Sequence, residues 1–436
     1  MLPLAEIIAG QGHRVAGSDR SLDQRRLNAK FEALAAKGIG LHAQDGSGIT
    51  SGDQIVVASA AVEATVPDII RATELGCPRV TRAELLADLF NAASVRIAVG
   101  GTSGKSTVTG MIGWIMDQAG RDPTIMNGAV MKNYGSGSRV GGGDVFVSEV
   151  DESDGSIALY SPSVAVLNNV AVDHKSMAEL RELFGDFLGR ADATVVNADN
   201  AEALALAPDH AMTFGFGNNA TLQATDIVEQ PDGVAFAVRH HPSKIACAAR
   251  LAVPGRHNVS NALAAIGTVS RAGIGLEAAV DAIASFSGLK RRMETVGTAN
   301  GITVIDDFGH NPDKIAATLA TLHTFHGRLL VFFQPHGYGP LKQMGRELAD
   351  SFRANLYSGD HLLICDPAYF GGTVDKSVGA DALVAMIGAQ AEHIPTRDAC
   401  GVRLVTLAQP GDRIIVMGAR DDTLSLFAQS LLDRLG

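Results

Sequence analysis

The glycine-rich segment at residues 100–107 (GGTSGKST) carries the strongest chemical signal in the sequence. Glycines allow successive backbone N–H groups to turn toward phosphate oxygens, and the N-terminus of a following helix adds a partial positive charge. Lys105 contributes a full positive charge, and the Ser106 hydroxyl can bind Mg²⁺. Because an apolar stretch precedes the segment and an amphipathic stretch follows it, we predict a phosphate-binding loop rather than a chance glycine-rich turn. The residues predicted to contact a nucleotide are Gly101, Thr102, Ser103, Gly104, Lys105, Ser106 and Thr107.

An acidic run follows a second apolar strand, at residues 145–156 (VFVSEVDESDGS). Its carboxylates are those of Glu149, Asp151, Glu152 and Asp154. A carboxylate at the end of such a strand can complete a Mg²⁺ coordination shell together with the hydroxyl of a phosphate-binding loop. The alternative is a solvated acidic turn, and the glycine-rich segment elsewhere in the chain favours the metal site.

Polar residues also mark three further segments. Two of these segments, LNNVAVDH and VIDDFGHNP, end apolar strands, and ligands bind at the strand ends of open α/β sheets. His174 in the first of them is therefore a candidate second metal ligand. The other segment opens a helix, where asparagine amides can pair with an adenine edge or cap the helix N-terminus. The residues are Asn169, Asp173 and His174 in LNNVAVDH, His257, Asn258 and Asn261 in PGRHNVSNALAA, and Asp306, Asp307 and His310 in VIDDFGHNP.

Alternating strands and helices must position these residues. Short apolar strands alternate with amphipathic helices along the chain, which predicts an α/β fold built on parallel sheets. A strand at 95–99 and a helix at 106–119, with Gly120 at its C-cap, flank the phosphate-binding loop. Three such series predict three domains, at 1–94, 95–290 and 291–436. The first series opens on a helix, so we expect the first strand and its loop to be missing from the N-terminal domain.

Composition and charge narrow the class of protein. The chain has 436 residues, of which 46% are hydrophobic and 19% charged, as in globular proteins. The formal net charge of −11 argues against a nucleic-acid partner, and no apolar run reaches the ~18 residues of a membrane span. The four cysteines are widely spaced and the N-terminus has no signal-peptide pattern, which predicts reduced thiols in a cytoplasmic protein. We expect a monomer or a homodimer.

Taken in order, these segments resemble the Mur ligase family of ATP-dependent, peptide-forming ligases. The resemblance extends over almost the whole chain, through AGSD, GCPRVTRAELLADLF, GGTSGKST, SEVDESDGS, LNNVAVDH, PGRHNVSNALAA, GLKRRMETVG, IDDFGHNP and FQPHGYG. It implies a truncated Rossmann-like N-terminal domain for a UDP-sugar, a central P-loop ATPase domain and a Rossmann-like C-terminal domain that brings the amino acid. The implied reaction joins a small amino acid to the carboxylate of UDP-N-acetylmuramate, or a similar acid, through an acyl phosphate in peptidoglycan precursor synthesis.

The resemblance also implies a role for each candidate residue. Lys105 would neutralise the transferring phosphoryl group of ATP, and Arg292 would reach the phosphates, since phosphoryl transfer depends mainly on positioning and charge neutralisation. The implied catalytic residues are Lys105, Glu149, His174, Arg292, Asp307 and His310. The implied Mg²⁺ ligands are Ser106, Glu149 and His174, and the implied adenine and ribose contacts are His257, Asn258 and Asn261.

The amino-acid side departs from the pattern of the family branch that uses L-alanine. Arginines that meet the amino acid in that branch are replaced by Gly337 and Pro340, and Lys342 or Arg346 would have to substitute for them. Two further changes are Phe308 in place of Tyr and Asn311 in place of His. We therefore expect weak or altered use of L-alanine. Two alternatives stay open: a diverged Mur-type ligase with another amino acid or acceptor, and an ATP-binding homologue without catalysis.

Overall fold

Helices and strands alternate in the computed structural model, which describes residues 1–25, 27–59, 62–172, 175–368, 375–419 and 421–436. This confirms the predicted α/β class. Two compact units are present. The first comprises Met1–Ile227, Ala235–Leu251 and Asn258–Ser287, and the second comprises Val228–Val234, Ala252–His257 and Gly288–Gly436. The domain boundaries at 94/95 and 290/291 stay predictions.

The N-terminal part of the first unit contains two small parallel sheets, β1–β2 and β3–β4. Phe31, Leu34 and Ile39 form a small apolar core there. The elements are α1 (Leu2–Gly10), β1 (Ala16–Ser18), α2 (Arg20–Asp23), α3 (Asn28–Ala36), β2 (Gly40–His42), β3 (Val56–Ala58), α4 (Pro67–Glu74), β4 (Arg79–Thr81) and α5 (Arg82–Asn91).

A ten-stranded sheet follows, with the strand order β14-β13-β12-β11-β10-β9-β5-β8-β6-β7. Its strands are β5 (Val95–Gly100), β6 (Thr124–Met131), β7 (Ser136–Arg139), β8 (Val145–Glu149), β9 (Val164–Leu167), β10 (Ala193–Asn197), β11 (Met212–Gly215), β12 (Leu222–Gln230), β13 (Gly233–His240) and β14 (Ile245–Leu251). Its helices are α6 (Lys105–Gln118), a 3₁₀ helix (Ser156–Leu159), α7 (Met177–Gly189), α8 (Ala201–Ala205), α9 (Arg256–Arg271) and α10 (Leu276–Ile283).

Strand β5 is the inner strand from which the glycine-rich segment emerges. It pairs in parallel with β8 on one side and β9 on the other. Ile97, Ala98 and Val99 are fully buried, as expected for a parallel strand covered on both faces. The predicted helix forms close to its expected bounds, and Gly120, just past its end, has the left-handed φ of 73° that a C-cap requires.

The second unit is built on a six-stranded sheet with the order β15-β16-β20-β17-β18-β19. Leu329, Val331 and Phe333 of β17 join one apolar core, and Leu330 and Phe332 join another on the opposite face. The strand is therefore covered by helices on both sides. The elements are β15 (Glu294–Ala299), β16 (Ile302–Asp307), α11 (Pro312–His323), β17 (Leu329–Gln334), α12 (Tyr338–Asn355), β18 (His361–Ile364), α13 (Ala380–Ile387), β19 (Ala391–His393), α14 (Arg397–Leu407), β20 (Arg413–Gly418) and α15 (Leu424–Leu435).

The sheets differ from the prediction in being mixed. Strand β7 pairs with β6, and β15 with β16, in antiparallel orientation, whereas β5, β6, β8, β9, β10, β11 and the start of β12 are parallel. A strand that returns directly after a tight turn can only pair in this way. Among the described residues, every helix is too short or too polar to cross a lipid bilayer.

Candidate active site

Two glycines shape the loop between β5 and α6. Gly101 has a φ of 131° and Gly104 a φ of 85°, values that residues with a side chain rarely adopt. A Cβ atom on Gly104 would lie 2.3 Å from Asn168 Nδ2 and 2.7 Å from Asn261 Oδ1. Gly104 is therefore required both by its backbone conformation and by the lack of space. Helix α6 begins at Lys105, so its first N–H groups are directed at the loop.

The end of β9 holds this loop in place. Ser103 N donates to Asn169 Oδ1 at 2.8 Å, and Asn169 Nδ2 donates to Ser103 O at 3.0 Å. Thr102 N donates to Asn169 O at 3.1 Å, and Asn168 Nδ2 donates to Ser103 O at 2.9 Å. Because β9 is hydrogen-bonded to β5, these contacts come from a rigid neighbouring strand. The predicted phosphate-binding loop is thus preorganised by protein contacts.

The predicted pair of metal ligands meets at the start of α6. The Ser106 hydroxyl donates to Glu149 Oε2 at 2.7 Å. Glu149 is the last residue of β8. Its Oε1 lies so close to Gly128 that a Cβ atom added to Gly128 would be 1.9 Å from this oxygen. The third predicted ligand, His174, lies outside the described residues together with Asp173. Two of the three predicted ligands are therefore brought together.

This oxygen pair fits a hard cation such as Mg²⁺. Mg²⁺ usually takes one or two protein oxygens and completes its shell with phosphate and water, which a hydroxyl and a carboxylate permit. Within the described ranges, no group of three His, Cys, Asp or Glu side chains could hold a metal ion. A closed site of nitrogen and sulfur ligands is therefore not found in that part of the chain.

The ammonium of Lys105 is engaged by two acceptors. Lys105 Nζ donates to Gly101 O at 2.6 Å and to Glu152 Oε2 at 2.8 Å. Glu152 is only 8% exposed. The sequence placed Glu152 in the acidic run but gave no sign that it would be the partner of Lys105, because this pairing depends on how the loop after β8 folds back.

A chain of three buried amides lies beside Gly104. Asn168 Nδ2 donates to Asn261 Oδ1 at 3.1 Å, and Asn261 Nδ2 donates to Asn258 Oδ1 at 3.1 Å. Asn168 Oδ1 is buried and has no hydrogen-bond partner among the described residues. A buried acceptor without a donor costs free energy, so this atom fits a ligand that donates a hydrogen bond, such as the amino group of adenine. His257 is exposed in the first turn of α9.

In the second unit, Asp307 stabilises the turn that carries Arg292. Asp307 is 6% exposed, and its oxygens accept hydrogen bonds from Met293 N at 2.9 Å, Gly309 N at 2.9 Å and Thr318 Oγ1 at 2.8 Å. Arg292 lies between two residues with left-handed φ angles, Arg291 at 58° and Met293 at 52°. Such angles persist only when surrounding contacts enforce them, and the Asp307 carboxylate supplies one of these contacts.

His310 forms a small aromatic cluster with Phe308 and His336. The His310 ring lies edge-on to Phe308 at 5.3 Å and to His336 at 5.2 Å, and the Arg292 guanidinium lies 4.3 Å from the Phe308 ring centre. Burial, and then the positive charge of Lys314, lowers the pKa of His310 to about 3. His310 Nδ1 is 2.8 Å from Phe308 O, so this nitrogen donates and Nε2 of the neutral ring is an acceptor.

The two cations predicted to replace the missing arginines differ in their surroundings. Lys342 Nζ is 2.6 Å from Asp375 Oδ2 in an exposed ion pair. Arg346 is exposed one turn further along α12. Gly337, with a φ of 148°, precedes this helix, and Pro340 lies in its first turn. The first turn of α12 therefore presents no arginine, as the sequence indicates.

Comparison with known proteins gives matches over nearly the whole chain. Three family models match: "Mur ligase family, catalytic domain" at residues 1–94, "Mur ligase middle domain" at 99–269 and "Mur ligase, glutamate ligase domain" at 291–420. UDP-N-acetylmuramate–L-alanine ligase of Desulfosudis oleivorans is 33% identical over 97% of this chain and 93% of its own length.

Two solved structures share the fold. UDP-N-acetylmuramate–alanine ligase MurC from Thermotoga maritima has a TM-score of 0.81 at 22% identity, covering 100% of this chain and 96% of its own. A murein peptide ligase, Mpl, from Psychrobacter arcticus has a TM-score of 0.72 at 24% identity, with the same coverage. The fold, the family models and the identity to curated relatives together show that the chain belongs to the Mur ligase family.

Proposed function

We propose that the protein is an ATP-dependent ligase that joins a small amino acid to the carboxylate of UDP-N-acetylmuramate. The observation that carries this proposal is the Ser106–Glu149 pair beside Lys105, in a glycine loop fixed by β9. Curated relatives at 33% identity over most of the chain are named UDP-N-acetylmuramate–L-alanine ligases, which supports the choice of substrates. Mur ligases are ATP-dependent, and the oxygen pair is of the kind that binds Mg²⁺.

The first half of the proposed reaction takes place at the loop. The acceptor carboxylate attacks the γ-phosphorus of ATP, so that an acyl phosphate forms and ADP leaves. Lys105 and the N–H groups at the start of α6 neutralise the charge on the phosphates. Ser106 and Glu149 would hold Mg²⁺, which lowers the charge repulsion between the phosphates and the incoming carboxylate.

The amide chain beside Gly104 supports the choice of adenine. The unpaired Asn168 Oδ1 would accept a hydrogen bond from the adenine amino group. Asn261 and Asn258 would hold the Asn168 amide in the orientation that presents this oxygen. The predicted contacts of Asn258 and Asn261 would then be partly indirect, and Asn168 would be the residue that touches the base.

The second half of the reaction involves the second unit. The amine attacks the carbonyl carbon of the acyl phosphate, the C–N bond forms, and the C–O bond to the departing phosphate breaks. His310 Nε2 would accept a hydrogen bond from the amine and orient it. With a pKa of about 3, His310 would not keep the proton that the amine loses at neutral pH, so this proton would pass to the departing phosphate or to water. We therefore assign His310 an orienting role rather than general-base catalysis. Asp307 would act by positioning Arg292.

A second candidate is a Mur-type ligase with a different amino substrate. The observation in its favour is the first turn of α12, where Gly337 and Pro340 offer no side-chain cation for an α-carboxylate. Arginine is the best partner for a carboxylate because it can donate two parallel hydrogen bonds. A substrate that is held by another group, or that lacks this carboxylate, would suit the changed turn.

The test is phosphate release with ATP and Mg²⁺, leaving out UDP-N-acetylmuramate or the amino acid in turn, across a panel of amino acids. We expect release to require both substrates, and the product mass to equal that of the acid plus one amino-acid residue. Release with another amino acid but little with L-alanine would favour the second candidate. ATP binding without release under any condition would identify a non-catalytic homologue and contradict the proposal.

A further inference from the structure

The ammonium of Lys105 has an anionic partner within its own unit. Lys105 Nζ and Glu152 Oε2 are 2.8 Å apart, and the two side chains are 19% and 10% exposed. Ion pairs that are this far removed from water are screened weakly by salt. The Glu152 carboxylate therefore offsets much of the positive charge by which Lys105 would attract a phosphate group.

The loop that carries Glu152 does not depend on this side chain for its shape. Asp151 Oδ1 accepts a hydrogen bond from Ser153 N at 2.8 Å, and Asp151 O accepts one from Ile157 N at 3.1 Å. Among the residues that the structure describes, the hydrogen-bond partner of the Glu152 carboxylate is Lys105. Burying a carboxylate is costly, and its ion pair with Lys105 offsets that cost.

We infer that Glu152 competes with nucleotide phosphates for Lys105 and thereby lowers the affinity of the site for ATP and ADP. This inference rests on the proposed function, in which the glycine loop binds ATP. A phosphate that contacts the ammonium comes to lie near the Glu152 carboxylate, and the two negative charges repel each other in a poorly screened site. Glu152 is a positioning residue, since it acts through Lys105 and not on the reacting atoms.

This competition has a use in turnover. After the phosphoryl group has been transferred, ADP must leave before the next ATP can bind. Glu152 can pair with Lys105 again as the ADP phosphates move away, which favours dissociation of the product. The cost is weaker binding of ATP.

The test measures equilibrium binding of ATP and ADP to the full chain by calorimetry, without Mg²⁺, so that Lys105 is the main counter-charge. Glu152→Gln should tighten ATP binding about tenfold, the scale of one hydrogen bond to a charged group. The matched control is Asp154→Asn, an exposed carboxylate in the same loop, for which we expect a change of less than twofold. Lys105→Met should weaken binding, and adding Glu152→Gln to it should tighten binding less than the same change does in the unchanged chain, because only the direct charge repulsion is then left to relieve.

The outcomes separate the two proposals. If Lys105→Met binds ATP as tightly as the unchanged chain, the glycine loop does not bind the phosphates and the proposed function fails. If Lys105→Met weakens binding but Glu152→Gln leaves it equal or weaker, the function stands and the competition is refuted. Should Glu152→Gln fail to fold, Glu152→Asp carries the test: its shorter side chain lengthens the pair, so tighter binding supports the inference and unchanged binding overturns it.

Discussion

Replacing Gly104 with alanine should cost far more stability than the same change at Gly120. Both glycines flank α6 and both have left-handed backbone angles, with φ of 85° and 73°. A Cβ at Gly120 has no atom within 4 Å, whereas a Cβ at Gly104 would lie 2.3 Å from Asn168 Nδ2. Alanine would therefore pay the cost of a left-handed backbone at both positions, but its Cβ would collide with a neighbouring side chain only at Gly104.

The size of each effect follows from these contacts. Placing an alanine in the left-handed region costs roughly 1–2 kcal/mol at either position. At Gly104 the Asn168 amide must also move by about 1 Å or more to reach normal contact distance. That movement breaks its hydrogen bonds to Ser103 O and Asn261 Oδ1. Ser103 O keeps Asn169 Nδ2, whereas Asn168 Nδ2 and Asn261 Oδ1 each lose their partner at about 1–3 kcal/mol. We expect a loss of about 3–8 kcal/mol at Gly104.

The assay is urea unfolding followed by tryptophan fluorescence. Trp114, the single tryptophan, lies on α6 between the two glycines, so its signal reports the unit that contains both changes. ATP binding, measured on the same samples, should fall at least tenfold for Gly104→Ala and change less than twofold for Gly120→Ala. Equal shifts in the urea midpoint for the two variants would refute the argument that the Asn168 amide is displaced.

Three other outcomes are expected. Lys105→Ala should lower single-turnover phosphoryl transfer about 10²–10³-fold, since it removes a preorganised charge; a near-normal rate would exclude the phosphate-binding role. His310, with a pKa of about 3, should stay neutral in NMR titrations down to pH 5. In the unfolded chain this residue takes up a proton near pH 6.5, so the free energy of unfolding falls as the pH drops below that value. His310→Gln removes this contribution and should reduce the slope of the free energy of unfolding against pH by about 1.4 kcal/mol per pH unit between pH 6 and 4. The KM for L-alanine should exceed the usual range of about 1 μM–1 mM, or another amino acid should be preferred; an ordinary KM with no better substrate would show that Gly337 and Pro340 are compensated elsewhere.

Local patterns were sufficient to predict the glycine loop and the helix that follows it. The glycines, Lys105 and the apolar periodicity of α6 are all local features, and the helix forms within one residue of its predicted bounds at each end. The meeting of Ser106 and Glu149 was also predictable, because Glu149 ends β8, Ser106 comes shortly after the parallel strand β5, and the ends of parallel strands lie at the same edge of a sheet. The proposed roles of these residues stay predictions.

Contacts made by loops could not be read from the sequence. The pairing of Glu152 with Lys105 depends on the fold of the loop after β8, and the sequence does not distinguish Glu152 from Asp151 and Asp154 in that loop. Asn168 went unnoticed because it looks like part of an apolar strand, yet its amide supports both the loop and the chain to Asn261. The role of Asp307 in holding the Arg292 turn depends on a non-local contact as well, the hydrogen bond from Met293 N in the turn before β15.

The adjacency of β8, β5 and β9 restricts how this site can change by insertion or deletion during evolution. Glu149 is held at the end of β8 by its pairing with Val99, and successive residues of a strand face opposite sides of the sheet. Loss of one residue within β8 would therefore turn Glu149 to the opposite face of the sheet, into the position of its buried neighbour Ser148. Residues added after the strand, in the acidic loop, leave that register intact. Length variation among descendants of this chain should thus accumulate in the loops beyond the strand ends, while the three strands keep their lengths.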